Sequence, residues 1–219
     1  MQGEECNKEF MRLLQEISCK GFREREVFAD FCKLAGISLA QPMYEDKDLE
    51  EQYLTTIKRY PKDVVHKFPQ MLAVVTEALT EHRDFLGELF AKIDMGSKYK
   101  GQFFTPYNLA KMMAEMTMGG EDNKNSSKQL CEPCSGAGCL IIAADEVRKQ
   151  TDVVAVDVDE LCFYMCYVQL SLLNIPARVI HGNTLTMEYW KQLLTPAMVL
   201  KEANKSPEER QLEKDLEGL

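Results

Sequence analysis

Read by the spacing of its apolar residues, the chain falls into two unlike halves. Up to about residue 95, apolar positions recur every three or four residues, the period of a helix with one buried face. Phe10, Leu13, Leu14 and Ile17 share one such face, and Val27, Phe28, Phe31, Cys32 and Leu34 share a second. Leu49, Tyr53, Leu54 and Ile57 make a third, ended near Pro61. Met71, Leu72, Val75, Ala78 and Leu79 make a fourth. Phe85, Leu86, Leu89, Phe90 and Ile93 make a fifth, stopped at Gly96. No two-residue alternation interrupts them. Residues 7–95 are therefore predicted to be helical throughout, the stripes forming the core of a bundle.

The texture then changes. Gly101-Gln102-Phe103-Phe104-Thr105-Pro106 reads as a loop, with Thr105 placed to cap a helix and Pro106 suited to its first turn. That helix is expected to run to about Thr117, followed by a polar surface loop from Gly119 to Lys128. From Gln129 the pattern alternates: a strand over Gln129–Glu132, a helix over about Gly138–Gln150 and a strand over Val153–Asp157. A helix over about Glu160–Leu173 and a strand over Ala177–His181 complete it, reaching the turn Gly182-Asn183. Val153-Val154-Ala155-Val156 has the continuous apolar, β-branched character of a strand buried on both faces of a parallel sheet. The spacing suits right-handed crossover units. The expected class is thus α/β, with a helical domain over 1–97, an α/β domain over 98–200 and a charged tail over 201–219, frayed or helical.

Composition narrows the classes. The chain is 45% hydrophobic and 28% charged, ordinary for a globular protein. No apolar run is long enough to span a bilayer, and the polar, acidic start from Met1 to Phe10 is not a secretory signal. The reading is cytoplasmic, with reduced thiols and no membrane. Of eight cysteines, Cys131 and Cys134 form one Cys-x-x-Cys, but no second pair stands at ligand spacing, so no metal is assigned. The net charge of −9 disfavours an unaided grip on DNA. Lys92, Lys98, Lys100 and Lys111 face only Asp94 over residues 91–111, a basic strip that reads either as a solvated face or as a place for phosphates.

The chemistry gathers where the strands end. Leu130-Cys131-Glu132-Pro133-Cys134-Ser135-Gly136-Ala137-Gly138-Cys139-Leu140 is a strand ending in an acid, a Gly-x-Gly turn and the start of a helix. Such a turn lets backbone approach a nucleotide-like ligand, with helix amides directed at it. Asp157 ends the second strand, where a carboxylate can accept both hydroxyls of a ribose; it can also cap the next helix. Asn183 follows the third strand, where an amide can pair with an adenine edge or simply fit a turn. Glu132 can accept from a ligand amino group. Jointly these residues describe a site for an adenosine-containing cofactor.

Gly101-Gln102-Phe103-Phe104-Thr105-Pro106, Glu132-Pro133-Cys134-Ser135-Gly136-Ala137-Gly138, Val156-Asp157 and His181-Gly182-Asn183-Thr184-Leu185 resemble the adenine-N6 DNA methyltransferase family, in particular the modification subunits of type I restriction systems. The resemblance covers about residues 85–195, and the helical half is similar to the helical domain of those subunits. It implies a Rossmann-like S-adenosylmethionine-dependent methyltransferase core with a truncated parallel sheet. Phe104, Thr105 and Pro106 would contact the methionine end of S-adenosylmethionine. Glu132, Ser135, Gly136 and Gly138 would line its amino-acid moiety, Asp157 would hold the ribose, and Asn183, where the family more often has an acid, would face the adenine.

One family element is missing. The Asn/Asp-Pro-Pro-aromatic tetrapeptide of these enzymes polarises the adenine N6 and stacks on the flipped base. The eight prolines, at 42, 61, 69, 106, 133, 176, 196 and 207, are never adjacent and never follow Asn or Asp. Tyr189 and Trp190 lie nearby in sequence and are expected in the core. Residues 184–219 are all that follow Asn183, so the resemblance implies a cofactor half without the target-base half, and no catalytic residue is assigned. The expectation is an S-adenosylmethionine-binding member of the family, weak or inactive alone, meeting DNA with a partner subunit. Two alternatives stand beside it: an active small methyltransferase whose site is unconventional or completed by a partner, and an interaction module whose pocket is a relic.

Overall fold

The computed structural model describes residues 2–94, 105–118 and 129–206. The expectations placed on Gly96, Lys98, Lys100, Phe104, the 119–128 loop and the tail beyond 206 fall outside those residues. Six helices build the first half: α1 (Gln2–Ser18), α2 (Glu24–Tyr44), α3 (Lys47–Ile57), α4 (Lys62–Val65), α5 (Lys67–Ala78) and α6 (Phe85–Asp94). Helix α3 starts where the Asp46 carboxylate accepts from the amides of Asp48 and Leu49, satisfying donors that the first turn leaves free. Helix α2 stops where Glu45 turns left-handed at φ 46° and donates its N–H to the Gln41 carbonyl.

The four stripes on α1, α2, α5 and α6 face inward as the periodicity requires, with Leu72 and Ile93 at the margin. The stripe on α3 does not hold throughout: Leu49 is buried, Tyr53 and Ile57 are half-buried, and Leu54 is 42% exposed. Among the described residues helix α3 packs chiefly on α2, and its apolar arc is only partly covered.

The second half holds α7 (Tyr107–Met118), β1 (Gln129–Glu132), α8 (Cys139–Val147), β2 (Asp152–Asp157), α9 (Glu160–Leu172), β3 (Ala177–Asn183), β4 (Glu188–Leu194) and α10 (Pro196–Ala203). Pro106 caps α7 rather than opening it: its carbonyl accepts from the Ala110 amide, with Thr105 one residue outside. Helix α8 is shorter than expected, because Gly138 at φ 98° precedes it and Arg148 is already extended.

The sheet runs in the order β1-β2-β3-β4. Strands β1, β2 and β3 are parallel, with Cys131 opposite Val154 and Val154 opposite Arg178. The fourth strand was not foreseen. It returns antiparallel to β3, so the sheet is mixed rather than purely parallel. In β4 the apolar–polar alternation is weak, and among its residues only Leu193 is buried. Tyr189 and Trp190 correct the sequence reading: they are 51% and 54% exposed, not core. They sit on β4, the edge strand among the described residues, and the Trp190 ring meets His181 edge-on at 4.9 Å.

Buried apolar residues of both halves form one cluster, from Phe10 and Phe31 in the bundle to Phe163, Val179 and Leu193. The seam is α2 against α9. Gly36 admits the Tyr164 ring there, since a Cβ at position 36 would lie 2.6 Å from Tyr164 Cδ1. Helix α9 is buried on every side from Cys162 to Leu170, as a helix wedged between a bundle and a sheet must be, and all of these residues but Gln169 are apolar or aromatic. Among the described residues, no helix is long and apolar enough to cross a membrane.

Candidate functional site

Three turns meet at the carboxyl ends of β1, β2 and β3, the edge at which open α/β sheets bind ligands. The first, Pro133–Gly138, leaves β1 and enters α8. Gly136 and Gly138 have φ of 54° and 98°, conformations that a Cβ opposes. At Gly138 packing adds to the constraint, for a Cβ would lie 3.2 Å from the Cys166 Sγ on α9. The turn is held by the Ser135 amide donating to the Val156 carbonyl at 2.9 Å and the Gly138 amide donating to the Ser135 carbonyl at 2.8 Å.

Asp157 joins this turn to the next one. Its Oδ2 accepts from the Gly136 amide at 2.8 Å, and its Oδ1 accepts from the Asp159 amide at 2.9 Å. Asp159 in turn caps α9 through the Leu161 amide at 2.8 Å. The carboxylate at the end of β2 is thus a clasp between two turns, and the cap of α9 is supplied two residues later. Each of its oxygens keeps a further acceptor direction.

The third turn carries Asn183. Its Oδ1 accepts from the Leu185 amide at 3.0 Å and the Thr186 amide at 3.3 Å, the turn geometry weighed from sequence, which leaves the side-chain NH2 as the donor face. Thr184 donates its hydroxyl to the Pro133 carbonyl at 2.8 Å, tying the third turn back to the first. Gly182 permits the bulge between His181 and Gly182, because a Cβ there would lie 2.6 Å from the Glu188 carbonyl oxygen.

Glu132 is half-buried and accepts from the Cys134 amide at 3.2 Å. It also lines a hollow of about 140 Å³ between α7, α8 and the outer edge of β1, with Met113, Leu130 and Leu140. Ser135 is buried against the Cys166 thiol, whose pKa burial drives well upward. Thr105 approaches the start of α8, where its carbonyl accepts from the Cys139 thiol at 3.2 Å.

Glu132, Ser135, Gly136, Gly138, Asp157 and Asn183 are therefore brought to one edge, with Thr105 and Pro106 at its flank. Phe104 lies outside the described residues. Sequence reasoning missed Thr184 and the 58% exposed Val158, an apolar side chain beside Asp157. An apolar residue directly after the acid that ends a strand is the signal that was available. Of the lysines in the basic strip, Lys111 is engaged by Glu146 at 2.7 Å. Cys131 and Cys134 are exposed, free thiols.

The sequence model of the N-6 DNA methylase family matches residues 79–209, more than half of the chain. The chain belongs to the N-6 DNA methylase family. The match begins just before α6 and takes in every described candidate residue from Thr105 to Asn183. Among solved structures, the chain is similar to the methyltransferase subunit of a type I restriction-modification system from Streptococcus thermophilus. Identity is 20% and the TM-score 0.41, with 76% of this chain and 37% of that subunit covered. The chain thus spans little more than a third of that subunit's length. No curated protein matches the chain.

Proposed function

We propose that this N-6 DNA methylase family member binds S-adenosylmethionine at the carboxyl ends of β1–β3, as a Rossmann-like methyltransferase core. The observation that carries this reading is the Asp157 clasp. It fixes a left-handed glycine turn against a carboxylate that still has acceptor directions to offer. Asp157 would take the ribose hydroxyls. Val158 would lie against a face of the adenine, and the Asn183 NH2 would donate to an adenine ring nitrogen, a role that an acid in its place could not fill. Glu132 and the backbone of the Ser135–Gly138 turn would address the charged amino-acid end, and Thr105 and Pro106 would contact the methionine end, a role the family resemblance extends to Phe104.

S-adenosylmethionine supplies an electrophilic methyl group when bound. The residues that would clamp an adenine are not legible in this chain, because no Asn/Asp-Pro-Pro-aromatic string occurs in its sequence. We therefore assign the residues of this chain the binding of the methyl donor for transfer to DNA adenine N6, with no base-clamp residue assigned among them.

The deciding test is calorimetric titration of the chain with S-adenosylmethionine and S-adenosylhomocysteine. Micromolar binding that Asp157→Ala removes is the expected result. Absence of binding at millimolar ligand would overturn the assignment and leave the interaction-module reading standing.

A further inference from the structure

A buried carboxylate outside the site is tied to its glycine turn through one intermediary. Asp84 precedes α6 and is 3% exposed. Its Oδ1 accepts from the Gly87 amide at 3.0 Å and from Gln169 Nε2 at 2.8 Å. Gln169, fully buried on α9, passes the contact on: its Nε2 also donates to the Ala137 carbonyl at 2.8 Å, and its Oε1 accepts from the Leu86 amide at 3.0 Å. Ala137 is the middle residue of Gly136-Ala137-Gly138. Beside this network the Cys139 Sγ, in the first turn of α8, donates to the Thr105 carbonyl at 3.2 Å; burial first and the nearby Asp84 carboxylate second raise the pKa of that thiol.

We propose that Asp84 is a positioning residue for the cofactor site: through Gln169 it fixes the Gly136–Gly138 turn, and the next residue, Cys139, holds the Thr105 carbonyl, so that the helical bundle sets the spacing of the two walls. The proposal rests on the cofactor reading above for its functional meaning, but its geometry is independent of any ligand. Neither Asp84 nor Gln169 lies at the sheet edge, and α6 and α9 hold them in place from behind.

Both N–H donors, Gly87 and Gln169, meet one oxygen of the Asp84 carboxyl, so an asparagine can keep both contacts with its own oxygen. Burial raises the Asp84 pKa, and the hydrogen bonds from Gln169 and Gly87 oppose that rise. Gly87 supplies a second handle, since a Cβ there would lie 2.1 Å from Asp84 Oδ2 and must push the carboxyl aside.

The experiment compares the full chain with Asp84→Ala, Asp84→Asn and Gly87→Ala. Binding of S-adenosylhomocysteine is read by calorimetry, and amide exchange at Leu86, Gly87, Ala110 and Gly138 by hydrogen-exchange mass spectrometry or NMR. Asp84→Ala and Gly87→Ala should weaken binding about tenfold or more and speed exchange at Ala110 and Gly138, with α1 and α2 as protected as before. Asp84→Asn should stay within about threefold of wild type. If Asp84→Ala does not fold, Asp84→Asn and Gly87→Ala decide. Wild-type affinity and exchange in Gly87→Ala or Asp84→Ala overturn the proposal, as does an Asp84→Asn variant as weak as the alanine. If the wild-type chain does not bind S-adenosylhomocysteine, the cofactor reading fails, and the exchange data alone decide whether Asp84 positions the two segments.

Discussion

Replacing Asp157 by alanine tests the clasp before any ligand is added. The substitution removes the acceptors of two backbone amides, Gly136 at 2.8 Å and Asp159 at 2.9 Å. Hydrogen bonds to a charged acceptor contribute about 1.5–3 kcal/mol, and the half-exposed carboxylate places each of these near the lower bound. The ligand-free variant should therefore lose about 3 kcal/mol of stability. Asparagine keeps one oxygen and sets an NH2 against the other amide, so Asp157→Asn should lose about 2 kcal/mol. With a urea slope of about 2–3 kcal/mol per molar, the alanine variant should unfold about 1 M earlier than wild type, followed by circular dichroism in urea. Binding of S-adenosylmethionine should fall by more than the ribose contacts alone account for, because the glycine turn loosens with the carboxylate. A ligand-free Asp157→Ala chain with the wild-type urea midpoint would refute the reasoning, because the turns would then hold without the clasp.

Other expectations follow from the same geometry. Gly138→Ala meets both an unfavourable φ of 98° and the Cys166 Sγ, and should cost about 2 kcal/mol in urea unfolding; in a Cys166→Ala background the cost should shrink by about 0.5 kcal/mol as the contact is relieved. Gly36→Ala forces the Tyr164 ring away from α2 and should destabilise by about 1–3 kcal/mol, whereas a neutral result would mean that the α2–α9 seam can yield. Under native conditions an aromatic disulfide reagent should react quickly with Cys19, Cys131 and Cys134, and with the buried Cys6, Cys32, Cys139, Cys162 and Cys166 only after denaturation; burial raises the pKa of each of those five. Because the folded Asp84 pKa is raised, its stabilising contribution is complete below the unfolded value of 3.8 and is lost as pH rises through the folded value. Asp84→Asn should remove that pH-dependent component, seen as a smaller fall in stability between acidic and neutral pH.

Much of the architecture was legible in the spacing of residues. The bundle stripes, β1, β2, the crossover helices and β3 follow from periodicities that backbone geometry imposes on any chain with one buried face. The glycine turn and the acids at strand ends were legible because few residue types tolerate those positions. What was not legible depended on neighbours. Leu54 has an apolar stripe position yet stays exposed, on a helix that packs chiefly on α2 among the described residues. Strand β4 carries a weak pattern because only Leu193 reaches the core, and Tyr189 and Trp190 stay in solvent on the edge it forms.

By itself, then, the sequence determined the helical first half, the alternation that builds β1–β3, and which residues stand at the strand ends, since each of these rests on local spacing and local backbone freedom. Only the tertiary structure decided how those residues are used. The Asp157 carboxylate spans two turns, Asn183 spends its oxygen on its own loop, and Asp84 reaches the glycine turn through Gln169, 85 residues away in the chain. The Asp157–Gly136 and Asp84–Gln169 contacts join segments far apart in sequence, and no period along the chain encodes which distant partner a side chain will meet once the core has closed.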